Sequence, residues 1–301
     1  MTDDLDQAAE QAGLSSATAQ FERSRRRLFG IAYRMLGSVA EAEDVLQEVW
    51  IRWQSTSRED VEEPGAFLAA ITTRLAINVL KSARVRRETY IGPWLPEPVR
   101  TEDDPYLGAE RAEALEMAVL LLLEHLSPTE RAAYVLREAF DYPYARIAEI
   151  LDSSPAAVRQ MVSRARKHLA AERAREASVT DQQRLLSAFL AASREGDTAA
   201  LERMLAADAV SYTDGGGRRG AARIPIVGRT RVAKFTAALS SHFWRDKTIG
   251  WVEVNGQPAV AVGRNGALTA LLALSGAEGR IGRLLWVLSP EKLGHVGNAP
   301  D

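Results

Sequence analysis

The segment Tyr144–Leu169, YARIAEILDSSPAAVRQMVSRARKHL, constrains this chain more than any other stretch. Its spacing predicts a short helix, a turn and a longer basic helix. Ile147, Ala148 and Leu151 share one face of the first at three- and four-residue intervals. Asp152-Ser153-Ser154 supplies turn and capping oxygens, and Pro155 suits the first helical position, where no N–H is needed. Val158, Met161, Val162, Ala165 and Leu169 then form an apolar stripe. At ~100° per residue, Gln160, Ser163 and Lys167 point away from it, with Arg159, Arg164 and Arg166 on the flanks. A buried stripe backed by donors for phosphates and base edges is what a recognition helix needs in the major groove. An amphipathic helix in a bundle would carry the same stripe, so this pattern alone leaves the kind of binding open.

The charge distribution narrows the choice. Residues 181–301 carry 15 Lys and Arg against 11 Asp and Glu, and residues 1–180 carry 23 against 29. A freestanding DNA binder is usually basic overall. Here the positive charge of residues 1–180 is local, with acidic stretches between, which suits docking on a protein partner as well as on DNA. The absence of cysteine removes disulfides, thiolate metal sites and cysteine nucleophiles. The four histidines show no metal-ligand spacing, so neither a metal nor a cofactor is expected. The acidic N-terminus (Asp3, Asp4, Asp6) lacks the order of a signal peptide. The longest aliphatic run, Ala118 to Leu123, is far short of a membrane span. A cytoplasmic protein with no membrane partner is expected.

Upstream, Leu28, Ile31, Ala32 and Met35 mark an amphipathic helix over Phe21–Leu36. Ser38 is placed to cap a second helix, AEAEDVLQEVWIRWQ. One face of that helix, Val45, Leu46, Val49, Trp50 and Trp53, is core; the other presents Glu41, Asp44, Gln47 and Glu48. Glu63-Pro64-Gly65 breaks the chain before a third helix, with Phe67, Ile71, Leu75 and Val79 as its expected buried side. Arg74, Asn78, Lys81 and Arg84 run down a neighbouring side, and Arg86 and Arg87 extend its basic end. Basic residues in line with an amide suit a nucleic-acid backbone and an unstacked base. Residues 91–106 hold four prolines and no helical period, so they read as a linker. Trp94-Leu95-Pro96 at its centre should dock, because an aromatic left in water wastes its apolar area. Helices are expected again over Ala109–Leu126 and Pro128–Phe140, the latter capped by Ser127 with Glu130 three residues on.

Taken together, AEAEDVLQEVWIRW, TRLAINVLKSARVRRE and the segment LSPTERAAYVLREAFDYPYARIAEILDSSPAAVRQMVSRARKHL resemble a bacterial sigma factor of the extracytoplasmic-function type, in that family's order and spacing. The resemblance implies two all-α promoter-binding domains, the second a helix-turn-helix, joined by a linker and bound to core RNA polymerase and promoter DNA. It implies region 2 over residues 1–90, a proline-rich linker over 91–108 and region 4 over 109–175. By the same resemblance, Asp44, Gln47 and Glu48 contact polymerase. Arg74, Asn78, Lys81 and Arg84 belong to the minus-ten reader. Arg159, Gln160, Ser163, Arg164, Arg166 and Lys167 belong to the minus-thirty-five reader, with Arg137 as a backbone contact.

The last third begins with two helices and an apolar strand-like run, then a helix over Gly228–Phe243. Strand-like runs follow at Ile249–Val254, Ala259–Gly263, Leu268–Leu274 and Ile281–Leu288. Helices first and strands after predict an α+β unit with a curved antiparallel sheet. Residues 181–301 resemble a SnoaL-like cone domain of the nuclear-transport-factor-2 superfamily, many of whose members hold a small molecule. One sigma subgroup carries such an extension with a Trp-Leu-Pro-Glu-Pro linker, matched in full by Trp94-Leu95-Pro96-Glu97-Pro98. Its Asp-Gly-Gly-Gly-Lys loop is similar to Asp214-Gly215-Gly216-Gly217-Arg218, with arginine for lysine. Its terminal Asn-Pro-Asp-Lys-Leu is similar to Ser289-Pro290-Glu291-Lys292-Leu293. With that resemblance, the loop is expected to meet the linker around Trp94–Pro98 and to set the relative placement of the promoter-binding domains.

Two other functions stay open at this level. A one-component regulator would bind DNA alone and sense a ligand, against which the acidic balance of residues 1–180 weighs. A SnoaL-like enzyme would need acid–base groups, for which Asp214, His242 and Glu253 are candidates, although nothing in the spacing brings them together. The favoured reading is a sigma factor without enzymatic activity. Phe189, Phe235, Trp251 and Trp286 either line a ligand cavity in the last domain or fill it as core.

Overall fold

The computed structural model describes residues 2–57, 61–88, 90–101, 115–173, 178–218 and 221–297, with the side chains of residues 2–14, 83–88, 170–173 and 277 left aside. It divides into two compact units, residues 1–84 with 126–165 and residues 85–125 with 166–301.

The first unit is helical: α1 (Thr2–Leu36), α2 (Val39–Ser55) and α3 (Pro64–Glu88), joined after α4 (Met117–Leu123) by α5 (Pro128–Glu138), α6 (Tyr144–Leu151) and α7 (Pro155–Arg173). Ser38 caps α2 as expected, its hydroxyl accepting from the Glu41 N–H at 3.3 Å. Ala42, Val45, Leu46, Val49 and Trp53 are the buried face of α2, and the Trp53 indole N–H donates to the Ala17 carbonyl at 3.1 Å. In α3 the buried face differs from the expected one. Phe67, Ile71, Leu75 and Val79 are only half-buried, and the enclosed positions are Leu68, Ala69, Thr72, Thr73, Ala76 and Leu80. The two threonines explain the shift. Their hydroxyls donate to the Leu68 and Ala69 carbonyls one turn back (2.9 and 2.8 Å), so they enter the core already satisfied.

A capping box at Ser127 and Glu130 opens α5. The buried Arg131 guanidinium of α5 donates to the Met35 carbonyl at the end of α1 at 2.6 Å, and Arg27 of α1 donates to the Phe140 carbonyl at 3.3 Å. Between α6 and α7, Asp152 adopts φ 50°, ending α6, and the Ser154 hydroxyl caps the Ala157 N–H at 3.2 Å. Val158, Val162, Ala165 and Leu169 of α7 are fully buried and Met161 partly so; in α6, Ile147, Ala148 and Ile150 are buried while Leu151 is not fully enclosed.

The second unit carries α8 (Val179–Glu195), α9 (Thr198–Met204), β1 (Leu205–Asp214), β2 (Ile226–Val227), α10 (Arg229–Phe243), β3 (Thr248–Val254), β4 (Gln257–Arg264), β5 (Ala267–Ala277), β6 (Arg280–Val287) and α11 (Pro290–Leu293). Of the helix expected over Ala109–Leu126, residues 109–114 lie outside the described residues and the helix observed is α4. The sheet order is β2-β1-β6-β5-β4-β3. It is not wholly antiparallel: β1 pairs parallel with β6. The meander β3 to β6 leads the chain back beside β1, and the intervening crossover leaves those two strands pointing the same way.

Both faces of this sheet are covered, which is why β5 reads ALTALLALSGA rather than alternating apolar and polar. On one face Val260, Val262, Leu272, Leu274 and Leu284 pack with Leu186, Phe189, Leu201 and Val232 from α8, α9 and α10. On the other, Ala259, Leu271, Ala273, Leu285 and Val287 pack with Leu95 of the proline-rich segment, Met117 and Leu121 of α4, and Leu293 and Val296 near the C-terminus.

Candidate functional sites

The outward face of α7 presents Arg159, Gln160, Ser163, Arg164, Arg166 and Lys167. Intramolecular contacts lie on it. Arg164 Nε sits 3.1 Å from Glu130 Oε1, and the Glu130 carboxyl is held below the usual carboxylate range, chiefly by the Ser127 hydroxyl and further by Arg164. An exposed pair of this kind contributes at most ~1 kcal/mol and yields readily to phosphate. Arg159 lies over the Tyr144 ring at 5.6 Å, and Arg137 lies over the same ring at 5.0 Å. Arg137 is held further: it donates to the Tyr142 carbonyl at 3.0 Å and pairs with Asp141 at 3.1 Å.

On α3, Asn78 and Lys81 are exposed, and the Arg84 side chain lies outside the described residues. Arg74 is engaged inside the unit. Its Nε donates to the Ile150 carbonyl (2.9 Å) and its Nη2 to the Glu149 carbonyl (3.1 Å), at the negative end of α6. On α2, Asp44 and Gln47 are exposed and Glu48 accepts from Arg52 at 2.8 Å. Ile51, 59% exposed, lies on the same stripe one turn on.

The other site is a clasp built on Asp214, which ends β1 and is 0% exposed. Its carboxylate accepts from Tyr90 Oη at 2.5 Å, from the Leu95 N–H at 2.8 Å, from Lys292 Nζ at 2.7 Å and from the Gly216 N–H at 3.3 Å. Lys292 also donates to the Leu95 carbonyl at 2.5 Å, and its ammonium stands 4.2 Å from the centroid of the Trp94 ring. Burial and the neighbouring carboxylate raise the Tyr90 hydroxyl well above its usual value. The glycines allow this approach. Gly216 has φ 56°, and a Cβ there would stand 3.2 Å from Ser289 Oγ and 3.4 Å from Tyr90 Oη. Arg218 closes the loop by donating to the Leu288 carbonyl at 3.0 Å. The structure thus brings Trp94 and Leu95 together with Asp214 and the glycines, while Pro96 is buried nearby in sequence and Arg218 bonds elsewhere.

Sequence reasoning missed Tyr90, and it missed a second anchor at the β3–β4 turn. Asn255, with φ 54° and fully buried, accepts from the Val99 N–H at 3.0 Å through its side chain and donates its backbone N–H to the Val99 carbonyl at 2.8 Å. Its Nδ2 donates to the Leu115 carbonyl at 2.9 Å. Thr101 bonds Glu253 Oε1 at 2.6 Å, and Gln257 bonds Glu116 at 2.6 Å. One asparagine therefore bonds both Val99 and Leu115. An Asn-Gly pair such as Asn255-Gly256 marks a hairpin turn, which carries no hint of this second role.

The sigma-70 region 2 family model matches residues 20–86, and the sigma-70, region 4 model matches residues 116–169. The chain is 36% identical over 266 residues to the ECF RNA polymerase sigma factor SigJ of Mycobacterium tuberculosis, covering 87% of this chain and 83% of that one. The chain belongs to the extracytoplasmic-function sigma factors. It is also 31% identical over 281 residues to a probable ECF sigma factor, SigI, of the same species, covering 92% and 94% of the two chains. The crystal structure of the M. tuberculosis sigma factor SigJ matches with a TM-score of 0.74 at 30% identity, over 92% of this chain and 98% of that one. This sigma factor thus directs RNA polymerase in transcription initiation, and its second unit includes a SnoaL-like helix-and-sheet extension.

That extension holds a pocket of about 530 Å³, its open mouth included, lined by Ser211, Thr213, Ala222, Phe235, Thr236, Leu239, Phe243, Trp244, Trp286 and Leu288. Of the four aromatics expected in a cavity or core, Phe235 and Trp286 line it. Phe189 is core behind Trp286 at 6.4 Å, and Trp251 is half exposed elsewhere. Asp214, His242 and Glu253 are not among its lining residues. No described helix is long and apolar enough to cross a membrane, and no metal-ligand cluster occurs among the described residues.

Proposed function

We propose that α7 reads the minus-thirty-five element through Arg159, Gln160, Ser163, Arg164, Arg166 and Lys167, with Arg137 positioning the helix and its backbone contacts. The exposed Asn78 and Lys81, with Arg84, read the minus-ten element, and Asp44, Gln47, Glu48 and Ile51 dock on core polymerase in the cytoplasm. The SnoaL-like extension regulates this activity in cis, from residues 181–301, by holding the linker that joins region 2 (residues 1–90) to region 4 (residues 109–175). One observation carries the regulatory reading: the buried carboxylate of Asp214 binds Tyr90, Leu95 and Lys292 at once.

A second observation supports it. In the first unit, Arg74 of the minus-ten helix is bound to the carbonyl end of α6, and Arg131 ties α5 to the end of α1. The two promoter elements are centred about 25 base pairs apart, roughly 85 Å of duplex at ~3.4 Å per base pair. A unit in which the minus-ten helix hydrogen-bonds the helix that precedes the minus-thirty-five reader opens to engage both elements, and a clasp on the connecting chain acts on that opening. Enzymatic activity is not part of this reading, since Asp214 and Glu253 are bonded to separate linker residues and His242 is exposed outside the pocket.

Run-off transcription with purified core polymerase and full-length protein tests both parts. Gln160→Ala should lower transcription from the preferred promoter and relax discrimination there. Asp214→Asn should change their yield while leaving the choice of promoter intact. Unchanged yield with Asp214→Asn would remove the regulatory reading.

A further inference from the structure

The pocket of the SnoaL-like extension has a chemical character that its shape alone does not convey. Phe235, Leu239, Phe243, Trp244, Trp286 and Leu288 give it apolar walls. Phe243 meets both Trp244 and Trp286 edge-on, with centroids 4.8 and 5.2 Å apart, so the aromatic surface has both ring faces and ring edges to offer a flat guest. Ser211 and Thr213, both buried on β1, add two hydroxyls.

Cations stand against the same walls. Lys247 Nζ lies 3.7 Å from the centroid of Phe243, and Arg218 is bonded to the carbonyl of Leu288. The Lys247 amine is pushed down to about 8, first by burial, then by Arg264 and Arg218. No carboxylate contributes to that balance. The nearest acid in sequence, Asp246, lies 3.9 Å from Arg264 on the surface. A half-buried lysine against the Phe243 ring, with the exposed Arg218 and Arg264 near enough to disfavour its charge, makes a site that an anion would relieve.

We propose that this pocket binds a flat, apolar monoanion, a ring system bearing one carboxylate, with the ring among Phe235, Phe243 and Trp286 and the carboxylate toward Lys247 and Arg218. Such a ligand would press on the ends of β1 and β6, where the Leu288 N–H donates to the Asp214 carbonyl at 2.7 Å, directly beside the linker clasp. An effect on the linker rests on the regulatory reading above; binding itself does not.

The test uses full-length protein without polymerase, so its failure leaves the promoter reading untouched. Benzoate, indole-3-carboxylate and 2-naphthoate are each titrated calorimetrically against the matched neutral amide. At least one carboxylate should bind below ~1 mM, roughly tenfold tighter than its amide. Lys247→Met should bring the carboxylate to the amide's level, and Thr236→Trp, which fills the pocket, should abolish both. Equal affinity of acid and amide overturns the proposal, as does binding that survives Thr236→Trp or the absence of binding by every carboxylate. The acid–amide comparison on the unmodified protein decides the matter even if a variant fails to fold.

Discussion

Asp214 and Lys292, 78 positions apart, form an ion pair at 2.7 Å with side chains 0% and 8% exposed, and both also bond the backbone of Leu95. The carboxylate takes the Leu95 N–H and the ammonium takes the Leu95 carbonyl, so one peptide residue of the linker is read on both sides. An isolated buried ion pair is weak support for stability; one whose remaining donors and acceptors are occupied by a third segment specifies where that segment goes.

Asp214→Asn leaves Lys292 buried without its counter-ion. Loss of one partner of a buried pair costs about 3–5 kcal/mol. Urea denaturation of the second unit should show a loss of that order. The double variant Asp214→Asn with Lys292→Met should recover part of it, because the uncompensated charge is gone. Additive single and double effects would show that the pair is not coupled.

Tyr90→Phe removes one donor to the same carboxylate, a hydrogen bond to a charged group worth about 1.5–3 kcal/mol. The Tyr90 hydroxyl is raised by burial and then by Asp214. The folded protein therefore keeps this proton where the unfolded chain loses it. Its stabilising share is complete below about pH 10 and falls as pH rises above that value. Denaturation midpoints of the parent protein and of Tyr90→Phe should differ most below pH 10 and converge above it.

The helix-turn-helix was legible in the sequence because its signals are local. The Ser154 cap, Pro155 and the stripe through Val158, Val162 and Ala165 lie within one stretch and agree with one another. The buried face of α3 was misread because Thr72 and Thr73 hide their hydroxyls by bonding back along their own helix, which a hydrophobic pattern does not register. The clasp was legible as two motifs, Trp94–Pro98 and Asp214–Arg218, whose resemblance to a subgroup suggested that they meet. Tyr90 carried no such signal, since a single tyrosine after a basic helix has no period to betray its partner. Asn255 signalled only a hairpin turn; that its amide also holds Val99 and Leu115 depends on pairings of 156 and 140 residues.

Asn255→Gly keeps the positive φ of the turn and deletes only the side chain, separating the anchor from the hairpin. The Val99 N–H then loses its acceptor at 3.0 Å. A net hydrogen bond of about 1–1.5 kcal/mol corresponds to roughly tenfold faster exchange if the amide opens locally. Hydrogen exchange followed by mass spectrometry should show that acceleration around Val99, with the β4–β5 amides unchanged. Equal rates at Val99 would mean that the segment is held without Asn255.

On the promoter side, Gln160 and Lys167 are exposed on the same face of α7 but should fail differently. Gln160→Ala removes a base-edge reader, costing about 1–3 kcal/mol at its preferred sequence and relaxing discrimination there. Lys167→Ala removes a phosphate contact, weakening all sequences alike and reducing the salt slope by about one. Binding of holoenzyme to matched and mismatched promoters between 50 and 200 mM salt separates the two roles.

Lys247 supplies the pH test of the extension. Its amine titrates near 8 in the folded protein, against 10.5 for a free side chain, with burial as the main cause. The sign follows from proton counting. Between about pH 8 and 10.5 the unfolded chain carries this proton and the folded one does not, so stability contributed by the site rises with pH across that window. Below pH 8 both states are charged, and the folded state bears the strain of the ammonium beside Arg264 and Arg218. Lys247→Met should therefore raise the denaturation midpoint at pH 7 and lose that advantage by pH 10. The same depression makes Lys247 a nucleophile near neutrality. Amine-selective acylation at pH 8, mapped by mass spectrometry, should label Lys247 ahead of Lys234 and Lys81, both more exposed in the structure. A rate profile for Lys247 centred near 10.5 would show that the ammonium is free of the burial and cationic strain assigned to it.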